Sequence, residues 1–555
     1  MPRRRQRPMF TSSRRSRGGG VRWVEPGRRR RRELPLLPLV IFVLLLAAGG
    51  AVAYVLHKRA SDRAELRNTA VHFAAAWEHG RPAAMFAELD ADARSKYTAK
   101  RFAADYRMAN ATATVQEVKV GRASKTVGGR VTVPVSVRTK LFGTLRGRVA
   151  LPVTRVGERV GVRWRPYLRL PGLRPGERVQ RTIRARPRRA TVLSADGHPL
   201  ADEPSAQAIV GRAPARGDPG FGLEARYDDR LGGRPSAELR FGSRRIAATK
   251  ARRGRSVHAT IRPALQRATV AALGSRLGGI AVLRPRDGSV LALSGLAVSA
   301  PQPPGSTFKI VTLSAALQAK IATPSSTYPV RTAAVLSGVK LRNAGNESCG
   351  GSLTEAFTVS CNSVFAPLGA KLGAKRMHAA AERFGFNETP RVPAGKVSVY
   401  PPVKELKDSL AVGASAIGQD RVLATPLQMA AVGATIANRG VHPTPRIVRS
   451  DKVIRHRAVS ARTAGQVREM MLSVVRSGTG TAAALPGIEV AGKTGTAELR
   501  PTADATPDPK NTDAWFVAFA PAGAPKIVVA VMLVGAGAGG KAAAPIARQV
   551  LQAAL

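Results

Sequence analysis

At 555 residues, 44% of them hydrophobic, the chain is long enough for about two to four domains that each bury a core. A net charge of +54 favours anionic partners, and two cysteines exclude a Cys-rich zinc module or a disulfide scaffold. Arg, Ala, Gly, Pro and Val usage of the kind a GC-rich coding sequence produces accounts for much of that charge. Without a helix-turn-helix, zinc-finger or aromatic RNA-binding signature, nucleic acid is not an expected partner.

Residues 1–33 form an Arg-, Pro-, Gly- and Ser-rich tail, expected to be disordered and cytoplasmic; its first 32 residues hold thirteen Arg and one acid, Glu25. Residues 34–56 carry no charge over 23 positions, enough to span a hydrocarbon core as a single transmembrane helix. The Arg-dense flank puts the N-terminus in the cytoplasm and everything after Leu56 outside the plasma membrane. Ala51-Val52-Ala53 offers a small-x-small cleavage site, the competing reading of a signal peptide, but the run exceeds an ordinary signal-peptide apolar region.

Residues 61–170 read as a small, cone-like α+β stalk domain. Leu66, Ala70, Phe73 and Trp77 recur at helical spacing, with Gly80 where a C-cap would stand. Met85/Leu89 and Phe102/Tyr106 suggest two more short helices. The period then changes to two, at Val131, Val133, Val135 and Val137, and again at Val160, Val162 and Trp164. No cluster of acids, bases or metal ligands stands out, so the aromatic residues are expected to be core and the domain a spacer or docking platform. Residues 171–263, rich in Arg, Pro and Gly, read as an irregular, β-rich pedestal or linker with an Asp196-Gly197 turn.

From Ala264 the texture becomes dense in Ala, Val and Leu. A helix near 265–277 is followed by a hairpin, 279–283 and 289–294, turned at Asp287-Gly288. The middle is helical, including a helix with Thr425 as N-cap, Pro426 in its first turn and Gly440 past its end. Strands are expected over 489–497, 513–520 and 526–534, then a helix from about Ala543. This order predicts an antiparallel sheet flanked by helices over residues 264–555, within a multidomain α+β protein.

One stretch in this region carries chemistry. In Pro304-Gly305-Ser306-Thr307-Phe308-Lys309 a Gly-Ser step leads from a Pro-rich loop into a helix-like run, 307–320, with Lys309 three positions after Ser306 on the same face. A serine hydroxyl becomes a nucleophile when a neighbouring base takes its proton, and a lysine of lowered pKa can be that base. Alone, Ser-x-x-Lys is equally a helix start with a surface lysine. Ser360-Cys361-Asn362 follows 54 residues after Ser306, and Lys493-Thr494-Gly495-Thr496 lies on an expected strand. Taken singly, Ser360 reads as a cap and Lys493 as a solvated strand residue. Together, in this order, they form the Ser-x-x-Lys, Ser-x-Asn, Lys-Thr-Gly set.

With these motifs, residues 264–555 resemble the transpeptidase domain of class B penicillin-binding proteins. Gly418-Gln419, Gly478-Thr479-Gly480 and Asp513-Ala514-Trp515-Phe516 extend the resemblance. The stalk resembles, less specifically, the N-terminal domain of methicillin-resistance-type transpeptidases. The pedestal departs from its family's turn, with Arg189-Ala190 and Ser194-Ala195-Asp196-Gly197 in its place.

The resemblance implies a D,D-transpeptidase that needs no metal or organic cofactor. Ser306 would be the nucleophile and Lys309 its base. Ser360 would relay a proton, with Lys493 tuning it and Asn362 orienting Lys309 and the donor peptide. Lys493, Thr494, Gly495 and Thr496 would bind the substrate carboxylate, and the Ser306 and Thr496 backbone N–H groups would form an oxyanion hole. The implied ligands are peptidoglycan stem peptides and β-lactams. Nothing between Leu56 and Ala264 reads as a glycosyltransferase, so a polytopic glycan polymerase is the implied partner. In an oxidising exterior Cys349 and Cys361 either close a short disulfide loop or leave a buried thiol. Two rival functions share features of the sequence: a membrane-anchored serine β-lactamase, with the same motif set, and a non-catalytic β-lactam sensor or scaffold.

Overall fold

The computed structural model describes residues 36–185, 187–499 and 509–555. The basic tail expected over 1–33 lies outside them. Among the described residues, no helix is long and apolar enough to cross a membrane, and the apolar run read over 34–56 begins outside them. The chain divides into two compact units, Met1–Val179 and Gln180–Leu555.

In the first unit, helix Leu36–Glu78 buries Ala70, Phe73 and Trp77 along one face, and Gly80 turns the chain at φ +62°. Short helices Pro82–Ala87 and Ala91–Lys96 precede helix Ala99–Ala113. Four antiparallel strands, Val115–Val120, Arg130–Thr139, Gly143–Val156 and Arg159–Val162, then pair in chain order. The alternating valines of the second strand are all buried, as period-two patterning requires when one sheet face is covered. Trp164 lies just beyond the last strand. It is wholly buried, edge-on to Tyr97 and Phe102 at 4.9 and 4.8 Å, so these aromatics are core.

The second unit opens with the linker segment. Ser236–Phe241 and Arg244–Thr249 pair antiparallel, and Val192–Leu193 pairs in parallel with Val257–His258. Arg189, which opens the turn that departs from the family's pattern after it, pairs with Glu224 and with Asp228, the latter at 2.6 Å. The linker shares its core with the catalytic region. Val192, Leu223, Leu231 and Val257 join one hydrophobic cluster with Ala281 and Phe308, and Thr260 N–H donates to Ile447 O at 2.8 Å. Shared apolar burial is why the two form one unit.

The main sheet is five-stranded and antiparallel, in the order Ser289–Gly295, Gly278–Arg284, Ile527–Leu533, Thr512–Ala520, Ala491–Glu498. Its central strands are buried on both faces. Trp515, Val517 and Phe519 face one cluster; Ala514, Phe516 and Ala518 face the other. Helices Pro263–Leu273 and Gly539–Ala554 cover the second face. On the first lie Lys309–Gln318 and Pro426–Ala437, both apolar around most of their circumference, as helices inside a domain must be. Thr425 caps the latter, accepting from Gln428 N–H at 3.2 Å.

Several expected boundaries shift: the helix expected near 265–277 runs Pro263–Leu273 and stops at Gly274. The C-terminal helix starts at Gly539, four residues before the expected Ala543, despite a Gly-Gly pair. A Cβ on Gly539 would stand 2.2 Å from Trp515 O and 2.3 Å from Gly495 O, so glycine is what lets the helix start approach the sheet. The helix expected over 307–320 begins as a 3₁₀ turn, Gly305–Phe308, and becomes α-helical at Lys309.

Candidate active site

Ser306 lies in that 3₁₀ turn and is half-buried. Gly305, at φ +51°, donates its N–H to Gly418 O at 2.9 Å, and a Cβ there would stand 2.5 Å from Thr496 O. The turn is thereby seated against the edge strand Ala491–Glu498. Thr307 Oγ1 closes it by donating to Pro304 O at 2.7 Å.

Lys309, in the first turn of its helix, is fully buried. Its Nζ donates to Asn362 Oδ1 at 2.6 Å and Ser360 O at 2.7 Å, with Ser360 Oγ farther away at 3.4 Å. Sequence spacing predicts a link from Lys309 to the Ser306 hydroxyl. The hydrogen bonds of Nζ run instead to the Ser360–Asn362 turn. Burial first, and the Lys493 charge second, hold the Lys309 pKa well below the ordinary lysine range.

Ser360 is placed by the end of helix Leu353–Thr358. That helix starts with a capping box: Ser352 Oγ accepts from Glu355 N–H at 3.1 Å and Glu355 Oε2 from Ser352 N–H at 2.7 Å. It ends in a Schellman motif, Cys361 N–H to Ala356 O at 2.8 Å and Ser360 N–H to Phe357 O at 3.1 Å. Ser360 occupies the left-handed position that glycine usually fills, at φ +66°. A non-glycine residue there costs roughly 1 kcal/mol, and such strain clusters at functional sites. Ser360 is therefore a helix C-terminal cap residue whose hydroxyl also faces two lysines.

Lys493, on the edge strand, is also fully buried. Its Nζ donates to Ser360 Oγ at 2.8 Å and Thr494 O at 3.0 Å. Burial lowers its pKa to about 7. Phenyl rings supply the apolar wall: Phe365 lies 5.6 Å from Lys309 Nζ and Phe357 5.4 Å from Lys493 Nζ, centroid distances at which a ring face attracts a cation.

Lys309, Ser360, Asn362 and Lys493 thus form one hydrogen-bonded chain, with Ser306 one turn before Lys309. The expected carboxylate binders are placed less uniformly. Thr494 Oγ1 meets Thr479 Oγ1 at 2.5 Å, and Thr496 Oγ1 accepts from Gly539 N–H at 3.3 Å. Gly495 has no room for a side chain, since a Cβ would stand 2.7 Å from Pro304 O. Cys349 and Cys361 form a disulfide with Cα atoms 5.8 Å apart. Sequence reasoning assigns no site role to Thr479, although Gly478-Thr479-Gly480 is part of the family resemblance. Gly418, named with Gln419 in the same resemblance, is likewise assigned no site role, yet its carbonyl holds the Ser306 turn.

Residues 278–552 match the family described as the penicillin binding protein transpeptidase domain. The chain is similar to the peptidoglycan D,D-transpeptidase PbpA of Mycobacterium tuberculosis, 34% identical over 372 residues, covering 55% of this chain and 73% of that protein. It is 35% identical over 401 residues to PbpA of Mycolicibacterium smegmatis, covering 60% of this chain and 79% of the relative. Among solved structures, the D,D-transpeptidase domain of a peptidoglycan glycosyltransferase from Eggerthella lenta superposes with a TM-score of 0.59 at 30% identity, over 67% of this chain and 99% of that one. The ceftriaxone acyl-enzyme complex of M. tuberculosis penicillin-binding protein A gives a TM-score of 0.57 at 29% identity, over 66% of this chain and 98% of that one.

Proposed function

The chain belongs to the class B penicillin-binding proteins, the peptidoglycan D,D-transpeptidases, and from that premise we propose that its acyl-enzyme forms on Ser306 with Lys309 as base. The observation that carries this reading is the pair of short bonds from Lys309 Nζ, 2.6 Å to Asn362 Oδ1 and 2.7 Å to Ser360 O. A neutral amine has two N–H groups and one lone pair. The two short bonds use both donors, and the lone pair, with Ser360 Oγ 3.4 Å from Nζ, is left to receive the Ser306 proton.

Ser306 Oγ attacks the carbonyl carbon of the D-Ala-D-Ala peptide bond as its proton passes to Lys309 Nζ. The oxyanion is held by the Ser306 and Thr496 backbone N–H groups, each such donor being worth roughly 3 kcal/mol. The carbon–nitrogen bond then breaks, and a proton reaches the leaving nitrogen through Ser360 Oγ. D-Ala departs and an ester remains. The amine of a second stem peptide attacks that ester and gives one proton to Lys309 Nζ; the bond between the acyl carbon and Ser306 Oγ breaks, that proton passes to Ser306 Oγ, and an amide cross-link is left. Ser360 Oγ accepts from Lys493 at 2.8 Å, which frees its own proton for donation. Lys493, Thr494, Gly495 and Thr496 line the expected carboxylate subsite. A β-lactam enters the same steps with its ring amide as the cleaved bond.

In this reading the run over 34–56 is a single membrane span with the N-terminus cytoplasmic, 61–170 a spacer of the methicillin-resistance type, and a separate polytopic polymerase supplies glycan. The uncharged 23-residue run and its Arg-rich flank support the topology. The test is covalent labelling of the full-length chain by a fluorescent penicillin. Ser306→Ala should abolish the label, and equal labelling of both proteins defeats the site assignment. Release of hydrolysed antibiotic within seconds would instead favour the β-lactamase reading.

A further inference from the structure

One segment outside the three motifs grips the turn that carries Ser360 and Asn362. The helix Asn362–Leu372 begins without a cap of its own, because its N-cap residue, Cys361, has its sulfur in the disulfide to Cys349. Asn343 supplies the cap from twenty residues upstream: its Oδ1 accepts from Ser363 N–H at 2.8 Å. Its Nδ2 donates to Arg331 O at 2.7 Å and Glu347 O at 2.9 Å, so the side chain is tied on both sides and only 6% exposed. The neighbouring carbonyl, Arg342 O, accepts from Asn362 Nδ2 at 2.8 Å.

That last bond decides how the Asn362 amide is turned. With Nδ2 held by Arg342 O, Oδ1 faces Lys309 Nζ; a flipped amide would set its NH₂ against the lysine nitrogen. Fixing Asn343 fixes the carbonyl beside it, and through it the acceptor that orients the base.

We propose that Asn343 is a positioning residue for acyl transfer, holding the Asn362 amide against Lys309 by capping the Asn362–Leu372 helix from outside. The inference rests on the acyl-transfer reading of Ser306 and Lys309. Labelling of the wild-type chain tests that reading by itself; the variants test Asn343.

The experiment measures the second-order rate of acylation of the full-length chain by a fluorescent penicillin, with thermal melting alongside. Asn343→Ala should slow acylation by about tenfold or more, the order of loss expected when a catalytic group is slightly misplaced. In an Asn362→Ala background the same substitution should have little further effect on the rate, while the fall in melting temperature persists. A wild-type rate in Asn343→Ala overturns the proposal. So does an equal fold-loss in both backgrounds, which would mark a purely structural role. If the alanine variant does not fold, Asn343→Asp, which keeps the shape and the acceptor for Ser363 but repels the Arg331 and Glu347 carbonyls, is read by the same two criteria.

Discussion

Lys493 Nζ lies 2.8 Å from Ser360 Oγ across 133 residues of sequence, and this contact joins the edge strand of the sheet to the end of a helix. Because both lysines are buried and meet the same turn, a charge on either one disfavours a charge on the other. Ser360 is the hydroxyl that faces both.

Replacing Ser360 by Ala or by Gly removes that hydroxyl. Both variants are expected to acylate about 10²–10⁴-fold more slowly with penicillin, the usual range for a lost acid–base group. Their stabilities should differ, since at φ +66° glycine carries none of the roughly 1 kcal/mol that a Cβ costs. Ser360→Gly should therefore melt at a higher temperature than Ser360→Ala. An alanine variant that acylates at the wild-type rate removes Ser360 from the proton path.

Gly305→Ala adds a methyl 2.5 Å from Thr496 O at a backbone angle of +51°. The Ser306 turn must then move off the edge strand. Stability should fall by about 1–3 kcal/mol, as for other overpacked sites, and the acylation rate should fall with it. Urea melts and penicillin-labelling rates read the two effects. Unchanged values for both would mean that the turn is not seated against Thr496 in solution.

Burial sets the Lys493 pKa at about 7, whereas an unfolded lysine titrates near about 10.4. Between those values the unfolded chain binds more protons than the folded one, so this group's contribution to stability rises with pH from about 7 to about 10. Below that window the folded protein carries the full cost of a buried ammonium. Lys493→Met deletes the group. Its melting temperature relative to wild type should be most favourable at or below pH 7 and decline towards pH 10, while acylation is lost throughout. A pH-independent difference would show that Lys493 is not held neutral by burial.

Much of the second unit's fold was legible because its signals are local. The hairpin turn at Asp287-Gly288, the Thr425–Pro426 helix start and the three C-terminal strands are written in caps, turn residues and apolar runs, and each appears within a few residues of its expected place. Positions that depend on a neighbour far along the chain were less legible. The early start at Gly539 reflects its approach to Trp515 and Gly495, and the left-handed conformation of Ser360 comes from how the preceding helix ends.

The motif residues Ser306, Lys309, Ser360, Asn362 and Lys493 are a property of the sequence, because chemical identity and order along the chain are all that a motif requires. Their relationships are not. That Lys309 bonds to Asn362 and Ser360, that Thr494 meets Thr479, and that Asn343 caps the Asn362 helix are products of long-range packing. Hydrogen bonds act over about 3 Å, and only the folded sheet and its flanking helices bring residues so far apart in sequence within that distance.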